Sequence, residues 1–232
     1  MIDGEALSWS PRRREPAYVV AKSVLRPWAN LWFRKHIEGM EHVPRVGPAI
    51  MAFNHIAYLD ALAALYLPDS IGRRARFLAK AELFADWRLG WLLRGSGMIP
   101  VARGTSSARS SLEAAFSALD HGELIAIFPE GSAADSEDLS VRPLKSGTAR
   151  LALGSGAPVI PCGLWGTQNV WPKNRKKNWR PGQHLAASIG PPLTFTGDPD
   201  SPEDWMQVGE ELRRTLQALV DPLQERIPDR RR

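Results

Sequence analysis

The sequence predicts an α/β fold in which a mostly parallel central sheet is flanked by helices. Short apolar runs typical of strands occur at residues 49–53, 76–79, 98–101, 124–128, 158–162 and 184–189. Between them lie segments whose apolar residues recur at helical spacing, as at Leu112, Ala115, Phe116 and Leu119. Strands that alternate with helices favour parallel pairing within one sheet.

Each remaining element follows from a local signal. Helices are predicted at residues 61–67, 82–94, 107–121, 144–153 and 202–226. Gly122 directly follows the third of these, where a glycine commonly terminates a helix. Residues 37–43 are typical of a short strand, the two prolines in 44–48 predict a turn, and 163–166 is predicted to turn after the strand at 158–162.

Composition bounds the class of protein. The chain has 232 residues, 44% of them hydrophobic and 24% charged, so one domain is expected at 41–232 with an N-terminal appendage at 1–40. The single cysteine, Cys162, excludes an internal disulfide framework, and its place in an apolar strand indicates a core residue. The five histidines are scattered, so we expect no metal site.

The appendage has the composition of a helix that lies on a membrane. Residues 17–36 carry apolar residues at helical spacing, two tryptophans among them, with Lys and Arg between or after them. A helix packed on the domain core fits this pattern equally well. The formal net charge of +5 and the 9 tryptophans suit either nucleic acid or an anionic membrane surface. We interpret 1–40 as a membrane-docking segment and expect no nucleic-acid partner.

An imidazole and a carboxylate lie five positions apart where the apolar run 49–53 ends. On one continuous helix this separation would turn His55 and Asp60 roughly 140° apart, so a pair requires His55 in the turn and Asp60 in the first helical turn. The carboxylate would then hold one ring nitrogen and leave the other to take a proton from a hydroxyl. Alternatively, His55 caps the helix and Asp60 is a solvated first-turn acid.

Several functional groups directly follow predicted strands. They are His55, Lys80, Arg103, Glu130 and the turn at 163–166. The carboxyl ends of parallel strands share one edge, and open α/β sheets bind their ligands there. A base, two cations and an acid in one crevice fit transfer to a hydroxyl on a substrate that also carries phosphate.

Four blocks of residues, at 54–60, 80–104, 128–132 and 158–161, occur in this order. In them the chain resembles the glycerolipid acyltransferases of the lysophosphatidic acid acyltransferase type, from about residue 39 to 193. The resemblance implies that His55 and Asp60 are catalytic. It also implies a set of substrate-binding residues: Asn54, Lys80, Arg103, Glu130, Gly131, Ser132 and Lys145. Ile160 and Pro161 would lie near the acyl-binding region.

The mechanism that the resemblance implies has no acyl-enzyme. His55, held by Asp60, would deprotonate the free hydroxyl of 1-acylglycerol-3-phosphate, and that oxygen would attack the thioester of acyl-CoA or an acyl carrier protein to give phosphatidic acid. Consistent with this, the chain has no G-x-S-x-G nucleophile elbow. We expect no bound cofactor, and a cytoplasmic protein that is peripheral on the inner face of the cell membrane.

One position departs from the family pattern. Many relatives carry Phe-Pro-Glu-Gly-Thr-Arg in the third block, whereas Ser132-Ala133 replaces Thr-Arg here. Other cations that can supply the missing phosphate-binding charge are Arg103, Lys80, Arg142 and Lys145. A second hypothesis is therefore another lipid acceptor, such as a glycolipid or a lysophospholipid.

A third hypothesis is a non-catalytic module that binds membrane or nucleic acid through the basic loop 174–180. A base and an acid paired at a strand end are hard to explain in such a module, so an enzyme is favoured. Dinucleotide binding through Gly154 and Gly156 is excluded because these glycines precede a strand instead of following one.

Overall fold

The computed structural model describes residues 16–85, 90, 94, 98–101, 105–134 and 137–231. The helices are α1 (Pro16–Trp32), α2 (Asp60–Ser70), α3 (Ala81–Ala85), α4 (Thr105–Asp120), α5 (Ser146–Ser155) and α6 (Pro202–Arg226). The strands are β1 (Phe33–Glu38), β2 (Ala49–Phe53), β3 (Ala75–Lys80), β4 (Ile99–Val101), β5 (Leu124–Ile127), β6 (Val159–Trp165) and β7 (Gln183–Ile189). Short 3-10 helices lie at Met40–His42 and Thr167–Asn169.

All these strands form one sheet in the order β1-β7-β6-β2-β5-β3-β4. Strands β6, β2, β5, β3 and β4 run parallel, which confirms the mostly parallel sheet predicted from the sequence. Strand β7 is antiparallel to β6, and β1 is parallel to β7. The carboxyl ends of β2, β5 and β6 therefore share an edge with the amino ends of β7 and β1.

Strand β2 is buried on both faces, because helices cover both sides of the sheet. Its alternate residues Ile50 and Ala52 pack into one core cluster together with Leu119 of α4, Leu151 of α5 and Leu216 of α6. The other set, with Met51 and Phe53, packs against Leu67 and Ala64 of α2. A central strand buried on both faces reads as a continuous apolar run, as residues 49–53 do.

The final helix has the bounds expected from its sequence. Ser201 caps it by accepting a hydrogen bond on Oγ from Asp204 N at 3.2 Å, and Pro202 occupies the first helical position. The apolar residues Val208, Leu212, Leu216, Val220 and Leu223 are buried along one side. This amphipathic pattern made the helix predictable without knowledge of its partners.

The predicted bounds of three elements are wrong. The helix expected at 17–36 ends at Trp32, and 33–38 form β1, which pairs with β7 across its whole length; the strand predicted at 37–43 therefore begins and ends earlier. Strand β6 continues through Trp165, so Gly163 is a strand residue and not part of a turn. An added Cβ at Gly163 would lie 3.0 Å from Leu219 Cβ, so the glycine permits close packing of α6. Most of 86–97, in the helix predicted at 82–94, lies outside the described residues.

Candidate active site

The imidazole and carboxylate predicted to pair lie in contact. His55 occupies the turn after β2 and Asp60 is the first residue of α2, and His55 Nδ1 is 2.9 Å from Asp60 Oδ2. The His55 side chain is 15% exposed and that of Asp60 is 0% exposed. A proton on Nδ1 donated to the carboxylate leaves Nε2 with the lone pair that can accept a proton from a hydroxyl. The alternative of a solvated Asp60 is wrong.

The Asp60 carboxylate is held from several directions. Its Oδ2 also accepts hydrogen bonds from the backbone N–H groups of Ile56 at 2.7 Å and Ala57 at 2.8 Å. Its Oδ1 accepts from Thr167 Oγ1 at 2.5 Å. A buried carboxylate requires such donors to replace its lost hydration. The network fixes the carboxylate that orients the imidazole.

Thr167 was not predicted as a site residue. It belongs to the 3-10 helix after β6, is buried, and binds Asp60 from a segment 107 positions away in sequence. The available signal was its position directly after the turn predicted at 163–166, which was expected to face the same crevice as His55. A lone threonine has no recognisable spacing to His55, so only the packing of β6 beside β2 reveals it.

The backbone and ring of His55 are also fixed. Its N–H donates to Glu130 Oε1 at 2.7 Å, and its carbonyl accepts from Ala134 N at 2.8 Å. The imidazole stacks on Phe128 with ring centroids 4.2 Å apart. The Phe-Pro-Glu-Gly segment that follows β5 therefore holds His55 in two ways: Phe128 stacks on the imidazole, and Glu130 binds the main-chain N–H.

Both carboxylate oxygens of Glu130 are bound by neighbouring residues. Its side chain is 1% exposed, and Oε2 accepts from Arg142 Nε at 2.8 Å. Burial raises the pKa of the Glu130 carboxyl, and this shift is opposed by the hydrogen bond from the His55 N–H and by the Arg142 charge and hydrogen bonds. With both oxygens occupied by protein donors, the carboxylate positions His55 and Arg142, whereas the sequence had predicted a substrate contact for it.

Asn54 has a structural position in place of the substrate contact predicted for it. The residue is 0% exposed. Its Nδ2 donates to the carbonyl of Leu164 at 3.1 Å, and its Oδ1 accepts from Leu164 N at 2.6 Å. The carboxamide thus extends the pairing of β2 with β6 by one residue at the point where β2 turns away. Its hydrogen-bonding groups face β6 instead of the crevice.

Among the remaining predicted substrate-binding residues, Gly131, Ser132 and Lys145 border this edge. Gly131 has φ +78°, which favours glycine, and the exposed Lys145 lies over it, its Cγ 3.5 Å from where a Cβ would be. Ser132 accepts hydrogen bonds from Arg142 at its carbonyl and, at 3.4 Å, at Oγ. Lys80 ends β3, at the predicted edge; its side chain, like the whole of Arg103, lies outside the described residues.

An apolar pocket lies beside the His55–Asp60 pair, referred to below as the dyad. It is bounded by α1, α2, β1, β6 and β7, and its walls include Trp28, Leu59, Leu62, Tyr66, Leu164 and Thr167. Ile160 and Pro161, expected near the acyl-binding region, are buried inside β6 and are not among its wall residues. The same strand reaches the pocket through Leu164. Ile160 instead belongs to the core cluster between the sheet and α2.

No group of three or more His, Cys, Asp or Glu side chains is placed to bind a metal ion within the described part of the chain. Cys162 is buried in β6, and burial raises the pKa of its thiol well above the usual value. A thiol in this state is a poor nucleophile at neutral pH. The His55–Asp60 pair, with Nε2 of the imidazole left to accept a proton, fits general-base chemistry at this edge.

The His55–Asp60 pair lies where the parallel strands of the sheet end, beside the Phe-Pro-Glu-Gly segment 128–131. This combination of fold and site indicates an acyltransferase. Residues 34–165 match the family model described as Acyltransferase. The chain belongs to the Acyltransferase family, which confirms the resemblance inferred from the sequence.

Particular relatives are named for one activity. The chain is 28% identical over 191 residues to a 1-acyl-sn-glycerol-3-phosphate acyltransferase of Bacillus subtilis, covering 82% of this chain and 84% of that protein. It is 29% identical over 172 residues to the chloroplastic 1-acyl-sn-glycerol-3-phosphate acyltransferase LPAT1 of Arabidopsis thaliana, covering 72% and 46%. The chain spans about half the length of this plant relative and of its counterpart from Brassica napus, of which 49% is covered.

A solved structure shares the fold. The crystal structure of the 1-acyl-sn-glycerophosphate acyltransferase PlsC from Thermotoga maritima matches with a TM-score of 0.65 at 26% identity. The match covers 90% of this chain and 83% of that one. The mostly parallel sheet and its helices are therefore common to both proteins.

Proposed function

We propose that this protein transfers an acyl group from acyl-CoA, or from an acyl carrier protein, to the free hydroxyl of 1-acylglycerol-3-phosphate, giving phosphatidic acid. The observation that carries the proposal is the 2.9 Å contact between His55 Nδ1 and a fully buried Asp60 carboxylate. The names of the relatives from Bacillus and Arabidopsis support the choice of acceptor.

The reaction needs one base and no acyl-enzyme intermediate. His55 Nε2 takes the proton of the acceptor hydroxyl while its oxygen attacks the thioester carbonyl carbon. The resulting tetrahedral intermediate collapses with cleavage of the carbon–sulfur bond, and the imidazolium returns its proton to the departing thiolate. Asp60 stabilises the imidazolium throughout, because its carboxylate already faces Nδ1.

The acceptor phosphate requires a cation near the base. Arg142 is a candidate that compensates for Ala133: its guanidinium contacts Glu130 and Ser132, and its side chain is 30% exposed. A guanidinium has five N–H donors, so these contacts leave donors for a phosphate. We propose that Arg142 shares this role with Lys145, Lys80 and Arg103.

An assay across acceptors tests the proposed function. The purified protein is given one acyl-CoA and, in turn, 1-acylglycerol-3-phosphate, the monoacylglycerol without phosphate, and a glycolipid. We expect kcat/KM for the phosphate-bearing acceptor to exceed that for monoacylglycerol by at least about tenfold, as one charge-assisted contact provides. Preferential acylation of the glycolipid would instead support the second acceptor class, which the Ala133 substitution favours.

The acyl chain has a matching site in the apolar pocket beside Leu59 and Thr167. Both residues adjoin Asp60 in sequence or by hydrogen bond, so the pocket begins next to the dyad. Most of its wall consists of apolar side chains from α1, α2 and β7, which suit a hydrocarbon chain, and Lys35, Tyr66 and Thr167 also line it. We propose that the acyl group of one substrate occupies it during transfer.

We further propose that α1 lies on the inner face of the cell membrane, with the protein otherwise in the cytoplasm. Val24 is 64% exposed and Leu31 is 85% exposed, and their i, i+7 spacing places them on one side of α1. No helix of the described residues combines the length and apolarity needed to cross a bilayer. The exposed apolar side of α1 fits an interfacial helix.

Introducing charge on this side is expected to weaken membrane binding. The variant Val24→Glu/Leu31→Glu should bind vesicles at least about 100-fold more weakly, because two apolar side chains no longer enter the bilayer. Co-sedimentation with vesicles measures the change. Val46→Glu/Met206→Glu is the matched control, since these residues are 84% and 69% exposed and lie away from α1 in sequence. Equal loss in both variants would contradict docking through α1.

A further inference from the structure

A basic loop lies at the edge of the sheet that carries His55. The loop, residues 171–180, contains Lys173, Arg175, Lys176, Lys177 and Arg180 and no acidic residue. The loop connects β6, which ends at Trp165, to β7, which begins at Gln183. Because β6 is parallel to β2, the end of β6 lies at the same edge as the turn that follows β2.

Tryptophans at both ends of this loop join it to its surroundings. Trp179 is in contact with Trp28 of α1, with ring centroids 5.8 Å apart, and its carbonyl accepts from Trp32 Nε1 at 2.9 Å. Trp171 and Trp179 are themselves 5.6 Å apart. The loop and α1 therefore form one continuous surface.

The other side of the loop borders the catalytic turn. Tyr58, which lies between His55 and Asp60, donates its backbone N–H to the Trp171 carbonyl at 3.0 Å. The two rings meet edge to face at 5.9 Å, and Tyr58 is 46% exposed. An aromatic side chain of the catalytic turn thus stands at the margin of the same surface.

The charges of the loop face outward. Lys176, Lys177 and Arg180 are exposed, and Lys177 Nζ lies 4.4 Å from the ring centroid of Trp171. Arg175 Nη2 lies 3.9 Å from Oε1 of Glu137, whose side chain is itself 95% exposed. Exposed cations beside tryptophans, next to an apolar helix side, have the composition that anionic bilayer interfaces select.

We propose that residues 171–180 form a second docking element, which binds the phosphates of an anionic bilayer and, together with α1, turns the catalytic edge toward the membrane. Lys176, Lys177 and Arg180 supply the electrostatic attraction, while Trp171 and Trp179 lie at the level of the headgroups. The proposal rests on the proposed function only in that α1 docks on the same bilayer. Continuity with α1 favours the bilayer over the phosphates of the acyl donor as the occupant.

Vesicle binding of a charge-neutralised variant tests the proposal. Lys176→Gln/Lys177→Gln is titrated with vesicles of equal parts phosphatidylglycerol and phosphatidylcholine, and with pure phosphatidylcholine vesicles. Two cations near an anionic surface contribute about 30-fold in affinity, so we expect a loss of that size on the mixed vesicles and less than about threefold on the neutral ones. The readout is binding and requires no turnover, so a wrong acceptor assignment leaves it intact.

The matched control is Arg45→Gln/Arg74→Gln. Both arginines are exposed. Arg45 lies in the turn before β2 and Arg74 directly precedes β3, so both are at the edge of the sheet opposite His55. Mixed-vesicle affinity should remain within about twofold of that of the unaltered chain. Equal losses in both variants would show a nonspecific effect of net charge and overturn the proposal. An unchanged vesicle affinity together with a raised KM for acyl-CoA would assign the loop to the donor and overturn it as well.

Discussion

Replacing His55 with alanine is expected to lower kcat for acyl transfer by about 10²–10⁴-fold, the usual contribution of a positioned general base. Without an imidazole, none of the groups that the described residues place in contact with Asp60 has a basic nitrogen. The fold should persist, since Asp60 retains its bonds to Ile56, Ala57 and Thr167. Steady-state kinetics and the unfolding midpoint measure the two effects separately.

The matched control for this variant is His121→Ala. His121 is an exposed histidine that follows α4, and its Nδ1 lies 2.7 Å from the Ser117 carbonyl. We expect turnover of this variant to remain within about twofold of the unaltered chain, as for most surface changes away from a site. If His55→Ala kept more than a tenth of its turnover while remaining folded, the general-base assignment would be wrong.

Replacing Asp60 with asparagine should impair both turnover and stability. The amide has one oxygen where the carboxylate has two, and its NH₂ group would face donors from Ile56, Ala57 or Thr167. Loss of the correct tautomer and orientation of His55 is expected to lower kcat by about 10³–10⁴-fold. Buried donors left without an acceptor should lower the free energy of unfolding by about 2–5 kcal/mol.

The stability effect is measurable as a fall of roughly 5–15 °C in the unfolding midpoint for a chain of this size. Asp200→Asn is the control, because the Asp200 side chain is 86% exposed and its contact with Arg150 is 4.0 Å long. Such an exposed pair contributes about 0–1 kcal/mol. An Asp60→Asn variant as active and stable as this control would show that the carboxylate neither orients His55 nor secures the turn.

Most of the site could be predicted from the residues that directly follow the predicted strands. His55 and Glu130 each follow a run of apolar residues, and parallel strands bring such positions to one edge without any knowledge of side-chain contacts. The sequence therefore predicted that these residues meet. It did not predict that both Glu130 oxygens are taken by His55 N and Arg142, because that depends on the path of the loop at 137–145.

Roles set by distant partners were not predictable. Asn54 lies in the motif beside His55, yet its carboxamide is bound to Leu164, a residue 110 positions away. Thr167 reaches Asp60 across a similar separation. Sequence spacing carries no information on such contacts, because they arise from the register between β2 and β6.

Most of strand β1 was missed for a related reason. Residues 33–38 follow an amphipathic stretch and contain Arg34, Lys35 and His36, so local pattern favoured continuation of the helix. Pairing with β7 supplies hydrogen bonds over all six residues and outweighs that local preference. Strand β6 was cut short because Gly163 and Gly166 are typical of turns, whereas Gly163 is needed for close approach of Leu219.

The hydrogen bonds to Asp60 have a consequence for the proposed acyl transfer. One carboxylate joins the turn after β2 to the segment after β6, and these hydrogen bonds restrain the two segments relative to each other. We expect substrate binding to require little rearrangement of the base, so that the barrier to reaction contains little reorganisation energy from the protein. Differences in selectivity between members of this fold can accordingly arise in the surrounding loops while the proton-transfer machinery stays the same.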